Sequence, residues 1–331
     1  NITVYDGTKA PLASPALTGT PTVNGVAFSG YTGFKNHIIN GGFDIWQRGS
    51  SFSVSTSGGY VADRFYYAFA AVTPSPIIYE RVDRKTIQNT NVMKVTTASA
   101  TNTITIFSQR IEDLKAMSGK TFTFSFRAVA ANDATHTAST WGIYVDLNYG
   151  TAGTATEQIG LESGLDISSG TWNTLHSYTF TVPNLSAKTF GASDYLEIVF
   201  NNPQGGAFYL ETGQWQLEEG SVATPFENSP IADTLARCQR YYRLNEGELA
   251  ITASNNATAL FLPFKPMRTT PTSLLINGTG AIRNVGVSVS NVTGITATDI
   301  RGQVQLIAAA GLATSTTYTV AKGAIAFDAE L

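Results

Sequence analysis

Cysteine, charge and basic clusters are scarce in this chain. Cys238 is the single cysteine among 331 residues, so no disulfide can form within the chain and burial or assembly must stabilise the fold. Charged residues make up 14% of the chain, against about a quarter in an average soluble protein. Lysine and arginine number 21 against 24 acidic residues, and no basic block stands out. A duplex-binding protein needs such cations to displace counterions, so nucleic acid is excluded as a partner.

Long apolar runs and the common catalytic motifs are also missing. No stretch of about 20 apolar residues is present, so no membrane insertion is expected. The chain has no Gly-x-Ser-x-Gly elbow and no phosphate-binding loop of the Gly-x-x-x-x-Gly-Lys type. Its three histidines, His37, His136 and His176, lack the spacing of a zinc site. We therefore expect that the protein is not an enzyme.

Hydrophobic residues (43%), aromatic residues (11%) and 30 glycines are what the chain does contain. Hydrophobic and aromatic residues can form a large core, and glycines are common in the tight turns between strands. Residues 121–130 place Phe122, Phe124 and Phe126 on one face, the period of a half-buried strand. Similar runs recur at 141–150, 175–183, 194–202 and 207–220. Together they predict an all-β, jelly-roll sandwich over residues 36–228.

Three further regions flank the predicted sandwich. Residues 1–35 contain prolines among small residues, which predicts an extended arm that becomes ordered against a neighbour, with a plain linker as the alternative. Residues 229–243 predict one linking helix. Residues 244–331 return to short strands and predict a small C-terminal β domain that packs on another chain or domain.

The helix prediction depends on its start and on one apolar stripe. Ser229 suits the N-cap, and Pro230 suits the first turn. Apolar residues then recur every three or four positions, at Ile231, Leu235, Cys238 and Tyr242. In that stripe the cysteine is interpreted as a small apolar residue rather than a nucleophile.

Four other stretches are distinctive as long motifs. The first is NHIINGGFDIWQRGSSFSV (36–54) followed by YVADRFYY (60–67), and the second is WQLEEGSVATPFENSPIADTLARCQRYY (215–242). The third is LPFKPMRTTPTSLLING (262–278), and the fourth is AFDAEL (326–331). Together they resemble the tail-fibre or receptor-binding proteins of tailed bacteriophages. Residues 10–22 also resemble the Pro-Ala-Thr linkers of tail-fibre shafts.

This resemblance implies a virion protein of the tail or capsid surface, made in the cytoplasm of the host bacterium. It implies a homotrimer whose sandwich resembles carbohydrate-binding modules and adheres to bacterial surface polysaccharide. The arm would attach the chain to other structural proteins of the virion. Two alternatives stay open: a capsid decoration, cement or fibre-anchoring protein without receptor binding, and a polysaccharide-degrading tailspike. The tailspike needs two carboxylates about 5–10 Å apart, and no local motif marks such a pair.

Three aromatic residues, Trp172, Trp141 and Tyr60, are candidates for glycan binding. Sugar binding uses an exposed aromatic ring beside polar groups. Trp172 lies in a predicted turn, with a packed structural role as the alternative, and Trp141 begins a strand beside a Thr-rich loop. Trp46 and Trp215 lie in strand-like motifs and are expected in the core.

A structural calcium ion is a further implication of the resemblance. In carbohydrate-binding jelly rolls a stretch similar to NGGFD (40–44) opens the fold, and its acidic residue often ligates calcium. By that resemblance Asp44 is a candidate ligand, with Glu211 or Glu218 as partners. Calcium takes six to eight oxygen ligands, and this chain departs from the pattern because Asp replaces the usual Glu and the last strand lacks paired acids. A turn cap or an ion pair with Arg48 is the alternative for Asp44.

Two adjacent charges, Asp63 and Arg64, stand inside an apolar and aromatic run. A charge that is buried in such surroundings must be paired. We expect a salt bridge at the edge of the core here, rather than a ligand site.

Overall fold

The chain divides into two compact units, residues 1–35 and 36–331, in the computed structural model. The structure describes residues 22–23, 26–27, 34–56, 58–69, 75–84, 91–98, 104–131, 141–165, 167, 174–202, 207–244, 249–253, 258–260, 266–269, 272–275, 281–284, 287–297, 304–308, 317–320 and 325–330. The predicted arm shares the boundary of the first unit. Its extended course stays a prediction, because little more than one short antiparallel pair of strands is described there.

Twenty-three strands and two short helices are described. In chain order the strands are β1 (Thr22–Val23), β2 (Val26–Ala27), β3 (Ser51–Val54), β4 (Gly59–Tyr60), β5 (Tyr66–Phe69), β6 (Ile77–Asp83), β7 (Asn91–Thr97), β8 (Ile104–Glu112), β9 (Thr121–Ala131), β10 (Trp141–Asn148), β11 (Glu157–Leu165), β12 (Leu175–Thr181), β13 (Tyr195–Asn202), β14 (Phe208–Glu219), β15 (Tyr242–Leu244), β16 (Leu249–Ala253), β17 (Thr258–Leu260), β18 (Thr272–Leu275), β19 (Ala281–Asn284), β20 (Val287–Ala297), β21 (Val304–Ala308), β22 (Thr317–Val320) and β23 (Ile325–Asp328). The helices are a 3₁₀ helix (Leu114–Met117) and α1 (Ile231–Cys238).

Two six-stranded antiparallel sheets form the predicted jelly-roll sandwich. The first sheet has the order β11-β10-β13-β8-β5-β4, and the second has the order β12-β9-β14-β7-β6-β3. Strand β9 confirms the alternation prediction, because Phe122, Phe124 and Phe126 are all buried in the core between the sheets. The all-β fold class is therefore confirmed.

Trp215 lies at the centre of this core, as predicted. Its ring centroid is 4.9 Å from that of Phe107, 5.0 Å from that of Phe124 and 5.6 Å from that of Phe65. The indole nitrogen donates a 2.8 Å hydrogen bond to Thr212 Oγ1. This large core side chain therefore buries its apolar surface without leaving its polar group unsatisfied.

The first distinctive motif pairs with the last strand of the sandwich. The Trp215 N–H donates to the Gly41 carbonyl at 3.0 Å, and Asn36 Nδ2 donates to the Trp215 carbonyl at 2.9 Å. A Cβ on Gly41 would lie 2.0 Å from the Trp215 carbonyl oxygen. Glycine is therefore required here because the two backbones approach too closely for any side chain.

The helix is shorter than predicted. α1 begins at Ile231, its N-cap residue is Pro230 rather than Ser229, and it ends at Cys238. Tyr242 lies in strand β15, so only part of the predicted stripe is helical. Cys238 is buried, and burial raises the pKa of its thiol, which fits the apolar interpretation. Among the described residues, no helix is long and apolar enough to cross a bilayer.

The C-terminal part is built from strands, as predicted, and its last residues contact the sandwich through side chains. Six of its strands close on themselves in the order β16-β17-β21-β20-β19-β22, and β15, β23 and β18 form a separate three-stranded sheet. Residues 36–331 form one compact unit. The predicted division at residues 228 and 243 does not correspond to a division between compact units.

A buried ion pair joins the sandwich to the end of the chain. Arg64 is 2% exposed, and its Nη1 pairs with Glu330 Oε2. The guanidinium also stacks on the Tyr241 ring, with 3.5 Å between Cζ and the ring centroid. We call Arg64, Tyr241 and Glu330 the C-terminal clamp. The predicted salt bridge of Arg64 is therefore present, with a partner 266 residues away in the chain.

A second arginine reinforces the clamp. Arg48 Nη2 lies 3.2 Å from Asp328 and 3.4 Å from Glu330, and its guanidinium stacks 3.6 Å above the Tyr242 ring. The third distinctive motif joins the same place, because Arg268 Nε donates to the Ala329 carbonyl at 2.9 Å. All four distinctive stretches thus meet around the last residues of the chain.

Asp63 is buried beside the clamp and makes no direct ion pair with the other described residues. The Gln47 N–H donates to Asp63 Oδ1 at 2.9 Å, and Gln47 Nε2 donates to Oδ2. Burial raises the pKa of Asp63 to about 6, although both hydrogen bonds and the charge of Arg48 oppose the shift. The Asp63 carboxyl is therefore costly to ionise, and it lies beside the C-terminal clamp.

We predict that Glu330→Gln strongly destabilises the protein. The change leaves the buried Arg64 charge unpaired, which should lower the free energy of unfolding by about 3–5 kcal/mol in urea titrations. The matched control is Glu219→Gln, which breaks an exposed 3.1 Å pair with Lys120 and should cost about 0–1 kcal/mol. Equal losses in the two variants would contradict the prediction.

Asp63 should make stability depend on pH between about 4 and 6. Its pKa is higher in the folded chain (about 6) than its ordinary value of 3.8, so the folded state binds the proton more tightly. Its contribution favours folding below pH 3.8 and is lost as the pH rises through 6. Urea titrations from pH 4 to 7 should show a loss about 3 kcal/mol larger in the wild type than in Asp63→Asn. If the unfolding free energies of the wild type and Asp63→Asn changed with pH in parallel, burial would not raise the pKa of Asp63.

Candidate functional site

The outer face of the first sheet carries a set of polar and aromatic side chains from several strands. Along β10 the residues Trp141, Ile143, Val145 and Leu147 point into the core. The alternate positions of β10 therefore face outward, and the register places four pairs of residues from β10 and β13 side by side. These rows are Gly142 with Asn201, Tyr144 with Val199, Asp146 with Glu197, and Asn148 with Tyr195. We call this surface the groove face.

Arg110 of β8 lies between two tyrosine rings on the groove face. Its Cζ is 4.4 Å from the Tyr66 ring centroid and 5.0 Å from the Tyr195 ring centroid. Its Nε pairs with Glu197 Oε1 at 3.2 Å, and Ser108 donates to the same oxygen at 2.5 Å. Burial disfavours the charge on Arg110, but Glu197 and the tyrosines raise its pKa above the usual value. The arginine is thereby fixed in place and supports the rings beside it.

Asp146 and Glu197 lie directly opposite each other on neighbouring strands. Burial raises the pKa of Asp146, a 3.0 Å hydrogen bond from Gln158 opposes the shift, and the charge of Glu197 adds to it. Side chains opposite each other on one face of a sheet point in the same direction. Two parallel carboxylates suit acceptance of hydrogen bonds from one ligand.

Two hollows lie at the two ends of these rows. The first has a volume of about 430 Å³ and is lined by Gly142, Tyr144, Gln158, Gly160, Glu162 and Asn201, among others. The second has a volume of about 370 Å³ and is lined by Asn148, Gly150, Thr151, Ser193, Tyr195 and Arg268. Both volumes fall in the range of sites for small organic ligands.

The three predicted glycan-binding residues have different positions. Tyr60, on edge strand β4, lies on the groove face, and its ring centroid is 5.2 Å from that of Tyr66. Trp141 is a correction: it is fully buried, 5.5 Å from the Phe200 ring, because it occupies a core-facing position of β10. Trp172 lies outside the described residues. Trp46 is buried, as expected.

Sequence reasoning missed the residues that form most of this face. Tyr144 and Asp146 occupy the polar positions of an alternating strand, so the alternation itself was the available signal. The same argument applies to Glu197 on β13. Arg110 had no comparable signal, because nothing in the sequence around it shows which tyrosines it meets.

The residues expected to bind calcium do not fit that role. Glu211 is paired with Arg84 Nη2 at 2.9 and 3.0 Å and accepts a hydrogen bond from the Tyr209 hydroxyl. Glu218 accepts bonds from the Thr224 N–H and hydroxyl at 2.8 and 2.6 Å. These two glutamates are seven residues apart on β14, or roughly 20 Å. They cannot share one ion.

Asp44, the third expected calcium ligand, has another partner as well. Asn91 Nδ2 donates to Asp44 Oδ1 at 2.7 Å. Arg48, the alternative partner, instead pairs with Asp328 and Glu330. Within the described part of the chain, no three His, Cys, Asp or Glu side chains are gathered as a metal site requires.

Comparison with known proteins finds similarity only to solved structures. No family model and no curated protein matches the chain. A CBM22-1 xylan-binding domain from Paenibacillus barcinonensis Xyn10C matches with TM-score 0.34 and 10% identity, over 52% of this chain and 94% of that one. A CBM4 structure matches with TM-score 0.29 and 17% identity, over 55% of this chain and 98% of that one.

A phage protein is also among the similar structures. The enzymatically active domain of tailspike protein 4 from bacteriophage CBA120 matches with TM-score 0.31 and 13% identity, over 56% of this chain and 22% of that one. This chain thus spans about a fifth of that protein. At such TM-scores and identities the likeness is too low to transfer a function.

We predict that Arg84 rather than a metal ion stabilises Glu211. Excess EDTA should leave the melting temperature unchanged, whereas Arg84→Met should lower the free energy of unfolding by about 1–3 kcal/mol, because the buried Glu211 charge loses its partner. Lys120→Met is the control, since it removes an exposed 3.1 Å pair with Glu219 and should cost under about 1 kcal/mol. A melting temperature that falls with EDTA and recovers with calcium would overturn this assignment.

Proposed function

We propose that the chain binds glycans non-covalently through the groove face, as a receptor-binding subunit of a bacteriophage tail fibre. The observation that carries the glycan part is the combination on one surface of tyrosine rings, carboxylate and amide groups, and two ligand-sized hollows. Sugars present apolar C–H faces to aromatic rings and hydroxyl groups to polar side chains, and both partners are available here. The phage part is supported by the four distinctive motifs.

Weak binding at one site is sufficient for such a protein. The groove face is an open surface, so a single chain should bind and release a glycan readily. A homotrimer, present in several copies on a particle, would multiply that affinity because each further contact becomes intramolecular. The arm at residues 1–35 would attach the trimer to other virion proteins.

A capsid decoration or fibre-anchoring protein is the second candidate. Such a protein would use the arm and the compact fold and would have no need of the groove face. Removal of residues 1–35 together with glycan-binding assays separates the two roles, because only the adhesive protein needs the groove face for attachment to cells.

The groove face should be required for glycan binding. On an array of bacterial surface polysaccharides, Tyr195→Ala should weaken binding about three- to tenfold, because it removes one stacking surface. Asp146→Asn should also weaken binding, because an amide replaces a carboxylate that accepts hydrogen bonds. A parallel measurement with short soluble fragments, each of which occupies one site, avoids the additional avidity of a trimer.

The matched control is Glu80→Gln, which makes an equal change of charge on β6 of the second sheet. Its binding should equal that of the wild type. Loss of binding in the control, or unchanged binding in both groove variants, would move the site away from this face. Release of reducing ends from a polysaccharide would favour the tailspike alternative.

A further inference from the structure

The two hollows of the groove face lie along the same pair of strands. The first hollow includes Gly142 and Asn201, which form the first of the four rows. The second includes Asn148 and Tyr195, which form the last row. Asn148 lies six positions after Gly142 on β10, so the hollows are about 20 Å apart. The two middle rows lie between them on the same face.

We propose that one linear, uncharged polysaccharide chain lies along β10 and β13 and occupies both hollows at once. This inference depends on the glycan-binding function proposed above, and it defines the shape and the charge of the ligand. The site is then a single strand-parallel groove, with the Asp146–Glu197 row at its middle.

The first hollow is deep because two of the residues that line it, Gly142 and Gly160, have no side chain. A Cβ on Gly160 would have no heavy atom within 4 Å, so the space above this residue is open. A Cβ on Gly142 would lie 2.0 Å from Asn201 Oδ1, so this amide occupies the place of a side chain. Among the described residues this oxygen is buried without a hydrogen-bond partner. The floor of the hollow is therefore bare backbone beside an amide group, which suits close approach of a flat sugar ring.

The charges along the groove favour an uncharged ligand. Asp146 and Glu197 lie in the middle, and Glu162 lines the first hollow. The charge of Arg110 is balanced by Glu197 at 3.2 Å. A polyanion would meet the carboxylates of Asp146 and Glu162 in a partly desolvated site, where repulsion is stronger than in bulk water.

The carboxylates also have acceptor capacity left for hydroxyl groups. Gln158 donates to Asp146 Oδ1, and Ser108 and Arg110 donate to Glu197 Oε1. In the described part of the chain, Asp146 Oδ2 and Glu197 Oε2 accept no hydrogen bond. Ionised carboxylates are strong acceptors, so two neighbouring hydroxyl groups of a sugar could donate to this pair.

The second hollow differs in its chemistry. Arg268 lines it, but Arg268 Nε and Nη2 donate to the carbonyls of Ala329 and Glu330 at 2.9 and 3.1 Å. Its Nε also lies 3.5 Å from Glu112 Oε1. The arginine is thus engaged in holding the end of the chain.

Blocking each end of the groove tests the proposal. Gly160→Trp fills the first hollow, and Gly164→Trp is its matched control, because Gly164 is also open but does not line the hollow. Thr151→Trp fills the second hollow, with the exposed Ala155→Trp as control. Calorimetry would use fragments of two to eight rings from linear β-glucan, linear mannan and a neutral bacterial O-polysaccharide, with alginate fragments as the polyanion.

We expect at least one neutral series to bind with an affinity that rises with length until the fragment spans about 20 Å, and then levels off. Each blocking variant should weaken binding of the long fragments at least tenfold, and neither control should. A block that leaves long-fragment binding unchanged, an affinity already maximal at two rings, or equally tight binding of alginate would overturn the linear groove while leaving glycan binding itself intact. Failure of every fragment to bind the wild type would overturn the proposed function as well.

Discussion

The buried guanidinium of Arg64 has lost the water that would hydrate it. Groups from three separate parts of the chain take the place of that water. Glu330 supplies the countercharge, Tyr241 supplies a ring face, and the backbone carbonyl of Arg110 accepts a 2.5 Å hydrogen bond from Nη2. A buried charge without such partners would cost several kcal/mol. The sandwich, the segment after α1 and the last residues of the chain must therefore be assembled together.

That requirement extends to the groove face. Arg64 bonds to the backbone of Arg110, and the side chain of Arg110 lies between the rings of Tyr66 and Tyr195. The C-terminal clamp thus fixes the backbone of Arg110, the residue whose side chain lies between the tyrosine rings of the candidate site. The proposed adhesion needs such rigidity, because a ring that is already held loses less conformational entropy when a sugar stacks on it.

The carboxylates on the two outer faces of the sandwich differ in how many hydrogen bonds they accept from the rest of the fold. On the second sheet Glu211 is neutralised by Arg84 and further bonded to Tyr209, so its carboxylate is fully used within the fold. On the first sheet, Asp146 and Glu197 lie side by side with only part of their acceptor capacity used. Unused hydrogen-bonding capacity at a partly buried position is typical of a binding surface, whereas a satisfied ion pair stabilises the fold.

The sequence by itself determined the local structure. Period-two alternation around Phe122, Phe124 and Phe126 defined a strand and its buried face, because side-chain direction along a strand is a local property of the backbone. It also placed Trp215 in the core and required that Arg64 be paired. Only the tertiary structure decided that Glu330 is this partner and that Asp146 lies opposite Glu197. Strand order and register follow from packing of the whole core, and so residues far apart in the chain became neighbours that no local pattern could identify.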